Sequence, residues 1–591
     1  MSSSPSLLLT PLESLLCGLL DHACRWMSDV DPQVVSDGHT YSFSQLCRPS
    51  EASALRCEAR IAGGWVRDKL LQLPSHDLDV SLSTLTGHNF ALFLQAYLAS
   101  DAFAATPLKA AMDAQARGAT AISHIGKIAA NPEQSKNLET ATARVLGLDV
   151  DFVNLRKEVY EGESRIPLMS FGTPYEDAMR RDMTVNALFY NVHTQKVEDW
   201  TGHGLDDLRA GLVRTPLEPA ATFEDDPLRI LRCVRFASRF GYQVHPSIVA
   251  CLTGQGTPDI DARAASLREA LARKVSRERI GIEVEKMLTG PDPRRALELL
   301  ADLRLYPAVF RPPPPMSTHM HTADGTPASA APEAPVHAVA SFLDSLLRDS
   351  EAHASLYTRL PPLWLDALRA SPAMQRLLWY SVALLSLRGL YVRQGKPTVW
   401  AGSATLSAGL KLGNKTTKDP LNALHEAIDL LHRPELERFS PQGLLSRRAR
   451  IGLLLRHPSI TNPTLEVALP NALLAALLAD LVAVVDGSCL APEAASIIDV
   501  YAAFWTYVER EQLGPYATSK PLVDGQRIAE ALGCEKHLLG RVLPYVVAWE
   551  IDHTHIPAAE RAEQCVQDLQ AAWRAGELVP EAERARTKRS K

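Results

Sequence analysis

Gly63-Gly64-Trp65-Val66-Arg67-Asp68 is followed, after a short spacer, by Asp77-Leu78-Asp79-Val80. On a strand, side chains two residues apart face the same way, so Asp77 and Asp79 project together. Their mutual repulsion calls for a cation, and hard carboxylate oxygens suit Mg²⁺. The paired glycines let backbone approach a bulky anion such as a triphosphate. A third carboxylate is needed to hold two metal ions well. Asp149 and Asp151 lie on the next strong strand, again on one face. Asp151 is the choice, because it directly precedes the apolar Phe152-Val153; Asp149 is the alternative.

Two further clusters carry charge in a pattern. Thr173-Pro174-Tyr175-Glu176 has the signature of a helix start, with Thr as N-cap, Pro at the first position and Glu closing a capping box. Beyond it come Arg180, Arg181 and Asp182. An aspartate there can accept from a ribose 2′-hydroxyl, and an arginine can meet phosphate. The second helix starts at Asp226-Pro227. On a wheel, Arg229, Arg232, Arg235 and Arg239 share one side, and Ile230, Leu231, Val234 and Ala237 the other. A polar face made of arginines alone fits phosphates better than it fits a solvated surface.

These segments together resemble the tRNA nucleotidyltransferase (CCA-adding) family, of the class that also contains bacterial poly(A) polymerases. The resemblance rests on GGWVRD followed by DLD, then RRDMTVNA at 180–187, GHGLDDL at 202–208 and DDPLRILR at 225–232. Val523-Asp524-Gly525, Ala531-Leu532-Gly533 and Leu539-Gly540 resemble part of the family's helical body. The match is strong over 55–290 and diffuse elsewhere.

The resemblance implies an α+β fold: a small nucleotidyltransferase head, with a mixed sheet and helices, then an all-helical neck, body and tail. It implies that Asp77 and Asp79 bind the catalytic Mg²⁺, two ions with Asp151 (or Asp149) as the third carboxylate, and that CTP and ATP are the substrates. Gly63, Gly64, Arg67, Arg180, Arg181, Asp182, Asn186, Asp225, Asp226, Arg229 and Arg232 would bind nucleotide. Its partner would be the tRNA 3′ end, with no DNA, no membrane and no obligate protein partner. The family usually has Glu-Asp where this chain has Asp225-Asp226. A carboxylate accepting from an exocyclic amino group, beside a guanidinium donating to a ring nitrogen, accepts C and A. It confronts G and U with unpaired groups, at about 1–3 kcal/mol each. Arg235 and Arg239, with Arg447, Arg448, Arg450 and Arg456 in the helical remainder, are candidates for tRNA contact; a solvated turn is the alternative for the second set. A poly(A)-adding or partial (CC- or A-adding) enzyme is the runner-up. A non-catalytic RNA-binding scaffold would be expected to have lost a metal carboxylate.

The elements that must position these groups can be outlined from periodicity. Residues 11–27 have helical apolar spacing. Ala54–Ala62 reads as a strand entering the glycine turn, Asp77–Leu82 as a half-buried strand, and Val145–Leu155 as another. Phe189–Val192 and Lys196–Trp200 read as a hairpin. Residues 100–137 are Ala-rich and pattern-poor, and read as a long loop or insertion aiding a switch from C to A. After Phe223 helical periodicity dominates. Seven prolines within 311–336 mark a linker. The expected divisions are 1–54, a helical segment packing on the head; 55–215, the head; 216–310, a neck with base recognition; 311–337, the linker; and 338–591, body and tail.

Composition narrows the setting. The 591 residues are 46% apolar and 22% charged, with Lys+Arg 62 against Asp+Glu 68 and a net charge of −6. Disordered and fibrous classes are excluded, as is a protein coated by one large basic face. Leu469–Val485 is short for a membrane span and carries Asp480, so it reads as a buried helix. The nine cysteines are scattered without a CxxC pair, which argues against a disulfide framework or zinc site and for a reducing compartment. No secretory signal is recognisable. The basic run 584–591 reads as a nuclear address or a solvated tail. The expected location is cytoplasm and nucleus, with a mitochondrial isoform.

Overall fold

The computed structural model describes residues 7–48, 56–75, 77–116, 122–128, 140–159, 168–254, 256–330, 334–393, 397–487 and 489–579. The basic run at 584–591 lies outside them. The chain packs as two units, Met1–Arg279 with Asp302–Arg304, and Ile280–Ala301 with Leu305–Lys591. The division therefore runs through the expected 216–310 neck. The reason is packing: the Pro258–Lys274 helix lies on Pro246–Thr253 and Pro219–Asp225, whereas Gly281 and Glu285 pack with residues beyond 370.

The first unit opens with a helix, Pro11–Val30, whose Thr10–Glu13 capping box closes its start. A hairpin that periodicity did not reveal follows, β1 (Gln33–Ser36) and β2 (His39–Ser42). Further strands are β3 (Ala59–Ala62), β4 (Leu78–Leu82), β5 (Ile122–Ile128), β6 (Thr140–Val145) and β7 (Leu148–Asn154). They are followed by β8 (Arg156–Val159), β9 (Leu168–Phe171), β10 (Leu188–Asn191) and β11 (Lys196–Asp199). Seven of these form one sheet in the order β11-β10-β3-β4-β7-β6-β5. Neighbours are antiparallel except β4 and β7, which run parallel. One sheet face is covered by the Gly87–Leu98 helix, with Phe90 against Phe152 at 5.1 Å between ring centroids. The Pro11–Val30 helix packs on that helix through Trp26 and Tyr97.

Two expectations are corrected here. Val145–Leu155 is not one strand. Leu146 and Gly147, at φ 53° and 81°, make a two-residue turn between β6 and β7. Such a turn matches strand twist and leaves the apolar alternation unbroken, so periodicity passes through it unseen. The stretch 100–137 is not a long loop. Its described part holds helices Asp101–Ala104 and Pro107–Ala116 and the edge strand β5. Alanine's high helix propensity suffices without an apolar stripe, and Phe103 and Met112 are buried.

The second unit is helical. Leu469–Leu481 is buried along nearly its whole length. Asp480 within it accepts from Tyr501 Oη (2.6 Å) and pairs with His432 Nδ1 (2.5 Å). Trp364 and Trp505 stack at 5.3 Å. The proline-rich stretch is ordered in part: Met316–His319 forms a 3₁₀ turn, and His321 bridges to Pro327 and Tyr391. Among the described residues no helix is long and apolar enough to cross a membrane.

Candidate active site

β3 runs into Gly63, and the Gly64–Leu70 helix begins directly after it. Gly63 has φ 73°, a conformation that favours glycine, and a Cβ there would lie 2.8 Å from Arg181 Nη1 and displace that guanidinium. The helix is anchored from outside the sheet. Glu13 accepts from Trp65 Nε1 at 3.2 Å and from Lys69 Nζ at 2.7 Å.

The acidic residues converge through sheet register. Asp79 on β4 stands opposite Asp151 on the parallel strand β7, so both side chains leave the same face. Asp77, exposed and one residue before β4, shares that face by alternation. Burial, followed by the charges of Asp151 and Asp77, pushes the Asp79 carboxyl above its ordinary value, with Arg181 opposing. Asp151 and Asp77 thus each lie within electrostatic reach of Asp79. Thr142 donates to Asp151 at 2.7 Å. Asp149 is two residues off and faces Arg144 at 3.8 Å, both well exposed. Among the described residues no three acidic, His or Cys side chains are gathered closely enough to hold a metal ion as they stand. The donor set is nonetheless carboxylate oxygen throughout, which fits Mg²⁺.

Above the glycine turn lies a cluster organised by a residue that sequence reasoning passed over. Asp177 is fully buried and accepts from both Arg180 and Arg181. Its Oδ1 also takes the Arg156 backbone N–H at 3.2 Å. Burial alone would raise its carboxyl, but the two guanidiniums outweigh that and hold it at about 2. Arg181 Nη1 donates onward to the Asn186 carbonyl at 3.1 Å. Asp177 sits four residues before Arg181 in the helix that Thr173 caps, a spacing that suits an ion pair and was the available signal.

Asp182 is buried and accepts from Arg232 Nε at 2.6 Å and Asn186 Nδ2 at 3.1 Å. Burial opposes its ionisation, and Arg232 more than compensates, so its carboxyl lies below the ordinary value. Asn186 in turn accepts from Arg67. A polar chain therefore links the glycine turn to the Leu228–Phe240 helix. That helix starts one residue later than its sequence signature, with the Leu228 N–H on Asp226 Oδ1 at 3.1 Å. Asp226 Oδ2 accepts from Arg279 at 3.0 Å, and Arg229 Nη1 donates to the Thr222 carbonyl at 3.2 Å. Asp225 closes the preceding helix, half-buried.

Several arginines do not play the part their spacing implied. Arg67 is 3% exposed, bonds Asp68, and lies 4.9 and 4.8 Å from the Phe236 and Phe240 ring centroids. It ties two helices together rather than facing a phosphate. Arg235 is buried over the Phe236 ring, so it is no surface contact for tRNA; Arg239 remains exposed. The second arginine set is corrected as well. Arg448 donates to the Ile551 and Glu511 carbonyls, Arg450 to Ser440, and Arg456 to Tyr516. Arg447 is half-buried at the start of the same helix. Arg448, Arg450 and Arg456 thereby tie this helix to neighbouring backbone.

A family model described as the poly A polymerase head domain matches residues 59–214. A second, described as a probable RNA and SrmB-binding site of polymerase A, matches 264–316. The mitochondrial CCA tRNA nucleotidyltransferase of Saccharomyces cerevisiae is 32% identical over 568 residues, 93% of this chain and 92% of the relative. This chain belongs to the tRNA nucleotidyltransferase family. The family member named tRNA nucleotidyltransferase cca2 of Schizosaccharomyces pombe is 31% identical, covering 92% of this chain and 98% of its own. Poly(A) polymerase I of Escherichia coli is 30% identical, over 39% of this chain and 44% of its own. Among solved structures, a CCA-adding enzyme in apo form II aligns with TM-score 0.51 at 16% identity, covering 87% of this chain and 92% of that one. The Thermotoga maritima CCA-adding enzyme complexed with tRNA aligns at 0.50 and 15%, covering 96% and 100%. At these identities the two structures establish a shared fold.

Proposed function

We propose that this protein adds C, C and A in turn to the 3′ end of tRNA, from CTP and ATP, releasing pyrophosphate without a nucleic-acid template. The observation that carries the reading is the register of Asp79 opposite Asp151, beside the Gly63 turn, in a chain similar to CCA enzymes over nine-tenths of its length.

Asp77, Asp79 and Asp151 would hold Mg²⁺, which when bound supplies charge neutralisation and acidifies the attacking 3′-hydroxyl. The work of the chain itself is positioning and charge placement. The Gly63–Gly64 backbone leaves room for the triphosphate. Arg180 and Arg181, fixed by Asp177, place positive charge beside that turn. Arg67 acts from behind, by holding the Gly64–Leu70 helix against the Leu228–Phe240 helix. Asp182 and Asn186 would face the ribose, with Arg232, which Asp182 holds at 2.6 Å, beside them. Asp226 and Arg229 read the base edge, with Asp225 beside them. Each oxygen of Asp226 has one protein donor and retains lone-pair capacity for an amino group.

The runner-up, a poly(A)-adding or partial enzyme, shares the head. The relatives that match over nine-tenths of the chain and are named CCA tRNA nucleotidyltransferase favour the CCA reading. The retained Asp77, Asp79 and Asp151 disfavour a non-catalytic scaffold. The S. cerevisiae and Candida glabrata relatives are named mitochondrial, which supports a mitochondrial form here; cytoplasmic and nuclear forms are part of the same proposal.

The test is tRNA lacking its 3′ CCA, incubated with Mg²⁺ and with CTP and ATP separately and together. CTP alone should give two added residues, both nucleotides three, and ATP alone none. Homopolymeric A from ATP alone would replace the CCA reading by the poly(A) one.

A further inference from the structure

Arg448, Arg450 and Arg456 donate to neighbouring carbonyls, yet the second unit has positive charge that is not so committed. Residues 410–418 read Leu-Lys-Leu-Gly-Asn-Lys-Thr-Thr-Lys. Lys411 and Lys415 are exposed, and neither makes an ion pair or hydrogen bond with any described residue. Lys418 reaches only Asp419 among the described residues, at 3.9 Å. Lys415 and Lys418 both lie on the short helical segment Asn414–Lys418. No carboxylate lies within the nine residues. Protein surfaces ordinarily intersperse signs, and a chain of net charge −6 has little reason to leave Lys411 and Lys415 uncompensated, with Lys418 only loosely paired to Asp419.

The segment is also held firmly. Arg376 donates from Nη1 to the Thr416 carbonyl (3.0 Å) and from Nη2 to Thr417 Oγ1 (2.7 Å). The same guanidinium grips both oxygens of Glu285, at 2.6 and 2.8 Å, and Tyr380 Oη donates to Glu285 at 2.7 Å. The Leu410 carbonyl oxygen lies against Gly281, where a Cβ would approach it to 1.9 Å. Gly281 and Glu285 belong to the Arg277–Leu288 helix, inside the 264–316 stretch that matches the RNA-binding family model. The lysines are thus mounted, through backbone contact and the half-buried Arg376, on that helix.

We propose that Lys411, Lys415 and Lys418 form a phosphate-contact surface for the backbone of the RNA substrate. The proposal rests on the tRNA reading above and adds where the second unit grips. Lysine ammonium groups on a fixed backbone suit such a surface, because they neutralise phosphates as point charges without reading sequence.

The experiment uses the full-length protein and a fluorescent tRNA lacking CCA, titrated between 50 and 200 mM KCl. Wild type is compared with a triple variant, Lys411→Ala, Lys415→Ala, Lys418→Ala, and with the triple Lys→Arg variant. Each phosphate contact contributes about 0.9 to the slope of log affinity against log salt. Losing three should flatten that slope by about 2.7, so the affinity lost over this fourfold salt range shrinks roughly 40-fold. The Arg variant should restore the wild-type slope. An Ala variant with wild-type slope and affinity overturns the surface. Wild-type protein that binds no tRNA at any salt overturns the underlying reading instead.

Discussion

Asp177→Asn tests the idea that one buried carboxylate organises the two arginines beside the glycine turn. The substitution keeps shape and removes the charge. Two guanidiniums, each about four-fifths buried at the side chain, then lack their common counter-ion. Breaking a buried pair from one side costs about 3–5 kcal/mol. Part of this is titratable. The native carboxyl stands at about 2 against an ordinary 3.8, which corresponds to ~2.4 kcal/mol. Because the native value is depressed, that stability is fully present above pH 4 and is lost as pH falls through 2. Protonated Asp177 resembles the Asn variant, so the two proteins should converge in acid. Scanning calorimetry at pH 7 should show the transition of the first unit lowered by roughly 6–20 °C, at about 2–4 °C per kcal/mol. Repeating the scans stepwise below pH 4 should narrow the gap. A difference under about 1 kcal/mol at pH 7, or a gap that widens in acid, would refute the assignment.

Asp79→Asn should lower nucleotide incorporation by roughly 10²–10³-fold or more, read as single-turnover extension of tRNA. Asp151→Asn should fall similarly in that assay, whereas Asp149→Asn, which removes only an exposed pair with Arg144 worth at most about 1 kcal/mol, should stay within about threefold of wild type. Asp226→Asn turns half of the acceptor surface into a donor, and competition between CTP and UTP should show discrimination reduced by about tenfold or more, from 1–3 kcal/mol per unpaired group. Arg448→Ala deprives the Ile551 and Glu511 carbonyls of their donor; it should destabilise the second unit by about 1–3 kcal/mol in urea unfolding and leave the salt dependence of tRNA binding as in wild type.

The local pieces of the site are legible because their causes are local. The Thr173–Glu176 capping box forms as its spacing requires, and Asp77 and Asp79 share a face because strand alternation has period two. The Leu146–Gly147 turn escaped notice because a two-residue turn preserves that alternation. The Asp101–Ala116 helices escaped because alanine needs no apolar stripe to be helical. The hairpin Gln33–Ser42 is two four-residue strands, too short for periodicity to register.

What the sequence determined by itself is the chemical inventory: carboxylates in strand register, glycines where backbone must turn, and enough ordered motif to imply the family and its α+β head. What tertiary structure alone decided is which charges are available. Arg67 meets Asn186 across 119 residues and Arg448 meets the Ile551 carbonyl across 103, so both guanidiniums are engaged within the fold. Lys411 and Lys415 meet no partner among the described residues and remain on the surface. A side chain's charge is fixed by its covalent structure. Whether that charge is neutralised depends on partners within a few ångströms, and those are brought there by a fold whose closest contacts are distant in sequence.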